Sequence, residues 1–433
     1  MTVRLTASHE SILADLLRYL MTETNKTYNY DKFMLASGVA IFAIGQSLLF
    51  IIVAPMARSV GLTEWQFGIT FSLANVSLIF AAPFWGRKSD SIGRKPVFIT
   101  GLFGSGIGTL MMAYSLEMGL QGAVTTSGLI MMIFISRMIY GLTASSIYPS
   151  ATAYIADITN WQNRTKGMAL IGSANSLGSI LGPAIGGGLA FMGTLFPMYA
   201  AAAISFVGGL AAIIWLTEPE QHRERKSQKN QPKSTLKFTD RRLRPYMIIW
   251  ASFFVIFISL NFVTAFYIQD RFGITDMTEV MRTAGMMLAC MAIVITLVQG
   301  ILFQIIRISP QILLRLCGPT FAAGLFMMAF APSLPFLTAG FAMLGISFSC
   351  ATPGINGSAS LTVEPHEQGV AAGYLSAANT SGAILGPVIG TSLYKIQPNA
   401  PMLIGGVLMA IISIYTFMIP APRQLSESRQ TQS

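Results

Sequence analysis

Three groups of residues in this 433-residue chain have the types and spacing to do chemistry or to gate it. The first is a single guanidinium. Arg137 lies about ten residues inside an apolar run, which on a helix rising 1.5 Å per residue is ~15 Å deep. An uncompensated Arg at that depth costs at least ~2.5 to 3.5 kcal/mol, so it is expected to face protein or a water-filled cavity and to act there. The second group is the turn Gly86-Arg87-Lys88-Ser89-Asp90-Ser91-Ile92-Gly93-Arg94-Lys95. Its glycines permit a tight reversal, and Asp90 can pair with Arg94 or face the positive end of another helix. The third is a glycine stripe. Gly178, Gly182 and Gly186 recur every four residues, with Pro183 and Gly187 beside them. On a helix this spacing leaves one bare face for a neighbour to approach, and Pro183 interrupts the hydrogen-bond ladder.

The stripe has a second copy. Ala174-Asn175, Gly178, Ile180-Leu181-Gly182-Pro183 and Ile185-Gly186 are matched by Ala378-Asn379, Gly382, Ile384-Leu385-Gly386-Pro387 and Ile389-Gly390, each 204 residues downstream, and Pro149 and Pro353 share the offset. Two halves of one design are expected. Charged residues form 11% of the chain and hydrophobic residues 53%, against about 25% charged in soluble domains, so the elements that position these groups must lie in a bilayer. Twelve apolar segments run at 33–57, 66–86, 96–115, 127–150, 167–190, 197–217, 246–268, 281–304, 310–331, 335–358, 369–391 and 399–420, each near the ~20 residues needed to span. The expected fold is all-α: a polytopic membrane protein with twelve transmembrane helices in two pseudo-symmetric six-helix bundles, 33–217 and 246–420. A basic polar linker, 218–245, joins them, and a leader, 1–32, and a tail, 421–433, flank them.

A net charge of +10 could point to a polyanion, but 23 of the 28 Lys and Arg fall on the side of the termini. Only Arg58, Arg271, Arg282 and Lys395 fall in loops on the other side. This positive-inside asymmetry places both termini and the linker in the cytoplasm, and the charge reports topology rather than a nucleic-acid partner. Leu5, Ile12, Leu13, Leu16, Leu17 and Leu20 of the leader fall at helical spacing beside Glu10, Asp15 and Arg18; a helix lying at the membrane surface and a weakly ordered leader both fit.

The remaining polar inventory is short. Gln46, Asn75, Asn261, Asn356 and Asn379 interrupt apolar segments and can bond a neighbouring helix or line a cavity. Gly104-Ser105-Gly106-Ile107-Gly108 has the look of a dinucleotide loop but follows no strand, so helix packing is expected. Cys290, Cys317 and Cys350 lie in apolar segments as small packing residues, and His9, His222 and His366 lie outside the spans and far apart, so no metal is assigned. No nucleophile with a base and no phosphate loop occurs in a suitable context, and an enzyme is not expected.

The turn at Gly86, Asp90, Gly93, Arg94 and Lys95 resembles the signature loop of the major facilitator superfamily at every position. Arg137 with Gly141 resembles a second motif of that family's antiporters, in which the arginine is linked to proton movement. Residues Ala153-Tyr154-Ile155-Ala156-Asp157-Ile158-Thr159 and the stripe Gly178, Gly182, Pro183, Gly186 and Gly187, with its copy Gly382, Gly386, Pro387 and Gly390, are similar to the twelve-helix drug:proton antiporter branch of tetracycline and multidrug exporters.

The resemblance implies a monomeric, proton-coupled exporter of a small drug or metabolite in the cytoplasmic membrane, working by alternating access, with the proton gradient as energy source and no cofactor. It implies a cavity lined by segments one, four, seven and ten, hence substrate contacts from Gln46, Arg137, Tyr140, Asn261 and Asn356, with Tyr148 and Tyr267 as further stacking candidates. Arg137, Asp157 and Asp90 become the proton-coupling candidates, and the glycine faces the sliding surfaces between halves. It implies too that Asp90 latches near the inner end of segment eleven when the cavity faces outward; from their charges, Glu364 and Glu367 are expected to bond Arg87, Lys88 or Arg94 in that latch.

No carboxylate lies deep in a span, since Glu117 and Asp270 fall near outer ends and Asp90 and Asp157 near inner ends. A lone deep cation disfavours lipophilic cations and suits neutral or anionic cargo, a secreted carboxylate such as a siderophore among them. An importer or facilitator on the same fold and a non-transporting membrane sensor are the alternatives.

Overall fold

The computed structural model describes residues 6–159, 161–219, 236–306, 308–364 and 367–419. His222, Arg307, His366, most of the linker and the tail lie outside these, and the side chains of 6–29, His9 included, are likewise outside what is described. The first half comprises α1 (Thr6–Ser59), α2 (Glu64–Asn75), α3 (Ser77–Ile92), α4 (Arg94–Leu120), α5 (Thr126–Ala144), α6 (Ile147–Ile158), α7 (Trp161–Leu189) and α8 (Phe196–Trp215). The second comprises α9 (Arg244–Phe272), α10 (Met277–Leu297), the short α11 (Phe303–Ile305), α12 (Pro310–Ala329), α13 (Leu334–Ser360), α14 (Gln368–Ile396) and α15 (Ala400–Met418). From Thr6 on, the leader is helical and continuous with the first span. The fold is all-α, as the segment pattern requires.

Among the described residues, ten helical stretches are long and apolar enough to cross a membrane, with α2–α3 and α5–α6 each forming one stretch, Glu64–Ile92 and Thr126–Ile158. The fourth expected segment bends where α5 gives way to α6, just before Pro149, whose ring displaces the carbonyl one turn back. The two expected spans outside that set are α7 and α14, each a helix of 29 residues, ~43 Å long at 1.5 Å per residue. In α14 the Gly, Ser, Asn and Pro content dilutes the hydropathy, as suits a helix that faces other helices more than lipid.

Equivalent packings recur in the two halves. α1 packs on α7 as α9 packs on α14, and α4 lies against α5 and α8 as α12 lies against α13 and α15. Across the halves, α2 meets α14 and α7 meets α10. The principal contacts of α3 and α6 stay within the first half. The halves are thus joined toward the face opposite the termini.

The glycine stripes correct one expectation. A Cβ on Gly178 would lie 2.5 Å from the Ala40 carbonyl oxygen and one on Gly182 2.6 Å from that of Ile44, while Gly186 faces Leu48; all three partners are on α1. Gly382, Gly386 and Gly390 meet Phe254, Ile258 and Ser259 of α9 in the same way. Ser47 and Ser259 hydrogen-bond across these seams, to the carbonyls of Gly178 at 3.4 Å and Gly386 at 2.8 Å. The stripes therefore seal each half internally and are not the surfaces on which the halves slide. Of the expected glycines, Gly187 faces the other half, its missing Cβ 3.5 Å from the Gly285 Cα.

Gly104 and Gly108 abut Thr143 and Tyr140 of α5, and Gly106 abuts Phe206 of α8. That glycine-rich run is a packing surface.

Candidate functional site

Arg137 lies eleven residues past the start of α5, ~16 Å along it, and is 6% exposed. Its guanidinium carbon sits 4.6 Å from the centre of the Tyr140 ring and 4.9 Å from that of Phe71 on α2. Two ring faces thus supply the negative potential that a carboxylate would otherwise provide. The Nε of Arg137 and the hydroxyl of Tyr140 are both buried without a hydrogen-bond partner. Buried donors in that state are costly, at about 1–3 kcal/mol for an unsatisfied group, and they mark a place where a polar ligand or water can be received.

Aromatic rings extend the site toward α1 and α9. Phe42 of α1 stacks on Tyr140 with centroids 6.2 Å apart, and Phe71 meets Phe262 of α9 edge-on at 5.3 Å. Phe67 completes the cluster against both. On the second half, Phe254 and Phe257 of α9 pack against Phe348 of α13 at 5.9 and 5.4 Å, all three half-buried. These rings escaped the sequence analysis, although Phe254 and Phe257 stand at helical spacing. Phenylalanine in an apolar run carries no signal that separates a site wall from a lipid-facing surface.

The other expected contacts are dispersed. Gln46 is half-buried on α1. Asn261 adjoins Phe262 but donates to the Phe257 carbonyl of its own helix at 2.8 Å. Asn356 is exposed four residues from the end of α13. Tyr148 is 44% exposed, and Tyr267 donates to the Met328 carbonyl at 3.0 Å, tying α9 to α12. Arg137 and Tyr140 are brought together; Asn356 and Tyr267 stand apart from them.

On the termini face, the signature turn is a charge network within the first half. Arg94 is 9% exposed and donates to Asp157 Oδ2 at 2.9 Å and Ser89 Oγ at 2.6 Å, and it pairs with Asp90 at 2.6 Å. Glu218, the first residue of the linker, accepts from the backbone N–H groups of Arg94 and Lys95 at 2.6 and 2.9 Å, a role its place in a polar stretch does not signal. A carboxylate there complements the positive end of α4. Gly93 has φ +110, and a Cβ on it would strike the Glu218 carboxylate. Gly86 is half-buried one turn before Asp90. Arg94 is committed to its own half, so the expected latch with Glu364 is not formed here. In the second half, Arg242 bonds Glu367 at 3.0 and 3.1 Å and holds the Asp240 carboxyl below the ordinary carboxylate range by direct hydrogen bonds.

The opposite face carries a cluster the sequence did not announce. Arg58 at the end of α1 bonds both Asp270 oxygens of α9 at 2.6 and 2.8 Å and Glu64 of α2 at 2.6 Å. Tyr394 of α14 donates to Asp270 at 2.6 Å.

The comparisons with known proteins agree with this architecture. The sequence model described as "Major Facilitator Superfamily" matches residues 35–319 and 305–433. The chain is 28% identical over 399 residues to Multidrug resistance protein 1 of Bacillus subtilis (strain 168), covering 91% of this chain and 97% of that one. It is 24% identical over 373 residues to the class B tetracycline resistance protein of Escherichia coli, with 82% and 84% covered. In fold it resembles a bacterial homolog of the human lysosomal transporter Spinster, solved inward-facing and occupied (TM-score 0.67, 13% identity, 92% and 98% covered). It also resembles the nucleoside transporter NupG (TM-score 0.66, 16% identity, 90% and 98% covered). With its duplicated six-helix halves and intact signature turn, the chain belongs to the Major Facilitator Superfamily: it is a multi-pass membrane transporter of small molecules and not an enzyme.

Proposed function

We propose that this transporter exports an aromatic or carboxylate-bearing small molecule in exchange for protons, with its termini in the cytoplasm and the cytoplasmic membrane as its location. The observation that carries this reading is the Arg137 site: a buried guanidinium held between the Phe71 and Tyr140 rings with its Nε unpartnered. An anion or a polarised carbonyl can accept from that donor, and a flat apolar body can stack on the adjoining rings. A cation would meet repulsion there, with no deep carboxylate to offset it. Cargo thus binds between two halves that rock about it.

Direction rests on the antiporter-type motifs and on the multidrug and tetracycline resistance relatives, because the fold itself also serves a nucleoside transporter. Asp157 and Asp90, joined through Arg94, are the carboxylates best placed on the cytoplasmic side to exchange protons as the network rearranges.

Everted vesicles with an imposed pH gradient test the proposal. Uptake of carboxylate and uncharged aromatic probes is expected to need the gradient and to fall at least tenfold in Arg137→Ala, with partial recovery in Arg137→Lys, which keeps the charge but loses the planar stacking. Equilibration without a gradient identifies a facilitator, and cargo uptake indifferent to Arg137 moves the binding site elsewhere.

A further inference from the structure

We propose that Asp270 is a proton-binding site on the outer face, and that its protonation releases Arg58 and lets the two halves part on that side. The inference adopts the two-halved rocking cycle above but concerns a different place and does not depend on which cargo is carried.

Arg58 belongs to the first half and Asp270 to the second, and their bidentate pairing joins the ends of α1 and α9. Arg58 also reaches Gln269 at 3.3 Å and lies 4.9 Å from the centre of the Phe266 ring. These contacts must be lost when the halves separate on this face. Each member has a second partner that stays behind. Arg58 keeps Glu64, from its own half, and Asp270 keeps the Tyr394 hydroxyl, from its own half. The cluster can therefore divide without stranding the guanidinium. The carboxylate fares worse, since it loses both charge-assisted bonds and retains only the phenol.

A proton resolves that imbalance. It passes from outside water to an Asp270 oxygen, leaving a neutral carboxyl group that Tyr394 can still bond, while Arg58 remains charged beside Glu64. The side chain of Asp270 is 37% exposed, so the proton has access. Asp270 interacts with Arg58 of α1 and Tyr394 of α14. Glu64 of α2 acts through Arg58, and Arg271 follows Asp270 on α9. Among the described residues, α10 adds no hydrogen bond or ion pair to the cluster. The charged carboxylate is held best with the clamp closed, so acid favours opening. A single proton can change the open-to-closed ratio by up to about tenfold per pH unit.

The experiment measures distance, not transport. Spin labels are placed at Gln121→Cys and Ser333→Cys, exposed positions in outer loops of the two halves, in a background lacking Cys290, Cys317 and Cys350. The full chain is reconstituted without cargo, and the distance distribution is followed from pH 8 to pH 4. Acid is expected to raise the long-distance population. Asp270→Asn should populate it at every pH with the pH response removed, and Glu64→Gln should do the reverse, lowering it because Arg58 then depends on Asp270 alone. Tyr394→Phe should shift the response to higher pH. A wild-type distribution indifferent to pH overturns the proposal, as do an unchanged response in Asp270→Asn and opening by Glu64→Gln. If Asp270→Asn does not fold, the Glu64→Gln and Tyr394→Phe responses decide. Loss of transport with these responses intact would refute the export reading and leave the clamp standing.

Discussion

The two helix crossings that join the halves, α2 on α14 and α7 on α10, are related by the duplication but are not built alike. At both, a glycine lies over the carbonyl of the stripe's proline: a Cβ on Gly68 would lie 2.7 Å from Pro387 O, and one on Gly285 3.1 Å from Pro183 O. Proline has no N–H, so Pro387 leaves the Ala383 carbonyl without its helical donor. Asn75 of α2 supplies one, its Nδ2 donating at 2.6 Å. One residue past the proline, the Val388 N–H donates to Ser72 Oγ at 3.1 Å. The positions four and seven residues beyond Gly285, which correspond to Ser72 and Asn75, are Ala289 and Ala292, and neither has a side chain able to bond across. Beside that second crossing lies a cleft of about 460 Å³ lined by Gly187, Phe191, Arg282 and Met286 among others. Among the described residues, one crossing is pinned by side-chain hydrogen bonds and the other is not. The duplication supplied matching prolines, and only one half acquired the polar groups to use what a proline frees.

This asymmetry gives a graded series of tests, with a seam inside one half as the reference. Gly182→Val should have the largest effect, because its side chain would enter Ser47 and the Ile44 carbonyl of α1. It is expected to destabilise the first half itself by about 3 kcal/mol, read as a lower melting temperature in detergent and not only as slower turnover.

Gly68→Val comes next. Its side chain would strike Thr391 and Pro387 of the other half, so folding should survive while turnover falls about tenfold or more, the equivalent of the lower range for overpacking. Asn75→Leu removes the donor from the Ala383 carbonyl, and bilayer hydrogen bonds are worth ~0.6 to 2 kcal/mol. A fall of about fivefold in turnover is expected, and Ser72→Ala should do less. Gly285→Ala is expected to be the mildest, within about twofold, because the added methyl would lie 3.1 Å from the Pro183 carbonyl oxygen and 3.3 Å from the Gly187 Cα, looser than the contacts at Gly68 and beside an open cleft. If Gly285→Ala proves as damaging as Gly68→Val, the unpinned crossing is as constrained as the pinned one and the distinction is lost.

Much of this was legible in the residues. The spacing of Gly178, Gly182 and Gly186 announced a bare helix face, and the 204-residue offset announced its copy. Arg137 was found by its depth alone. What the bare faces meet was not legible: the same stripe can seal a helix against α1 or slide on the other bundle, because a glycine face has no chemistry to name its partner. Glu218 and Asp270 were hidden for a related reason. A carboxylate near a helix end is unremarkable in sequence, and its role depends on a guanidinium or helix terminus more than a hundred residues away.

The sequence by itself determined the class of molecule, its membrane-spanning helical segments, the duplication and the one deep charge. These follow from local quantities, since hydropathy, charge asymmetry and glycine spacing act on each segment separately in the bilayer. Only the tertiary structure decided which faces seal, which part, and which charges meet, because pairings between distant segments are settled by the packing of whole helices and leave no mark on either segment alone.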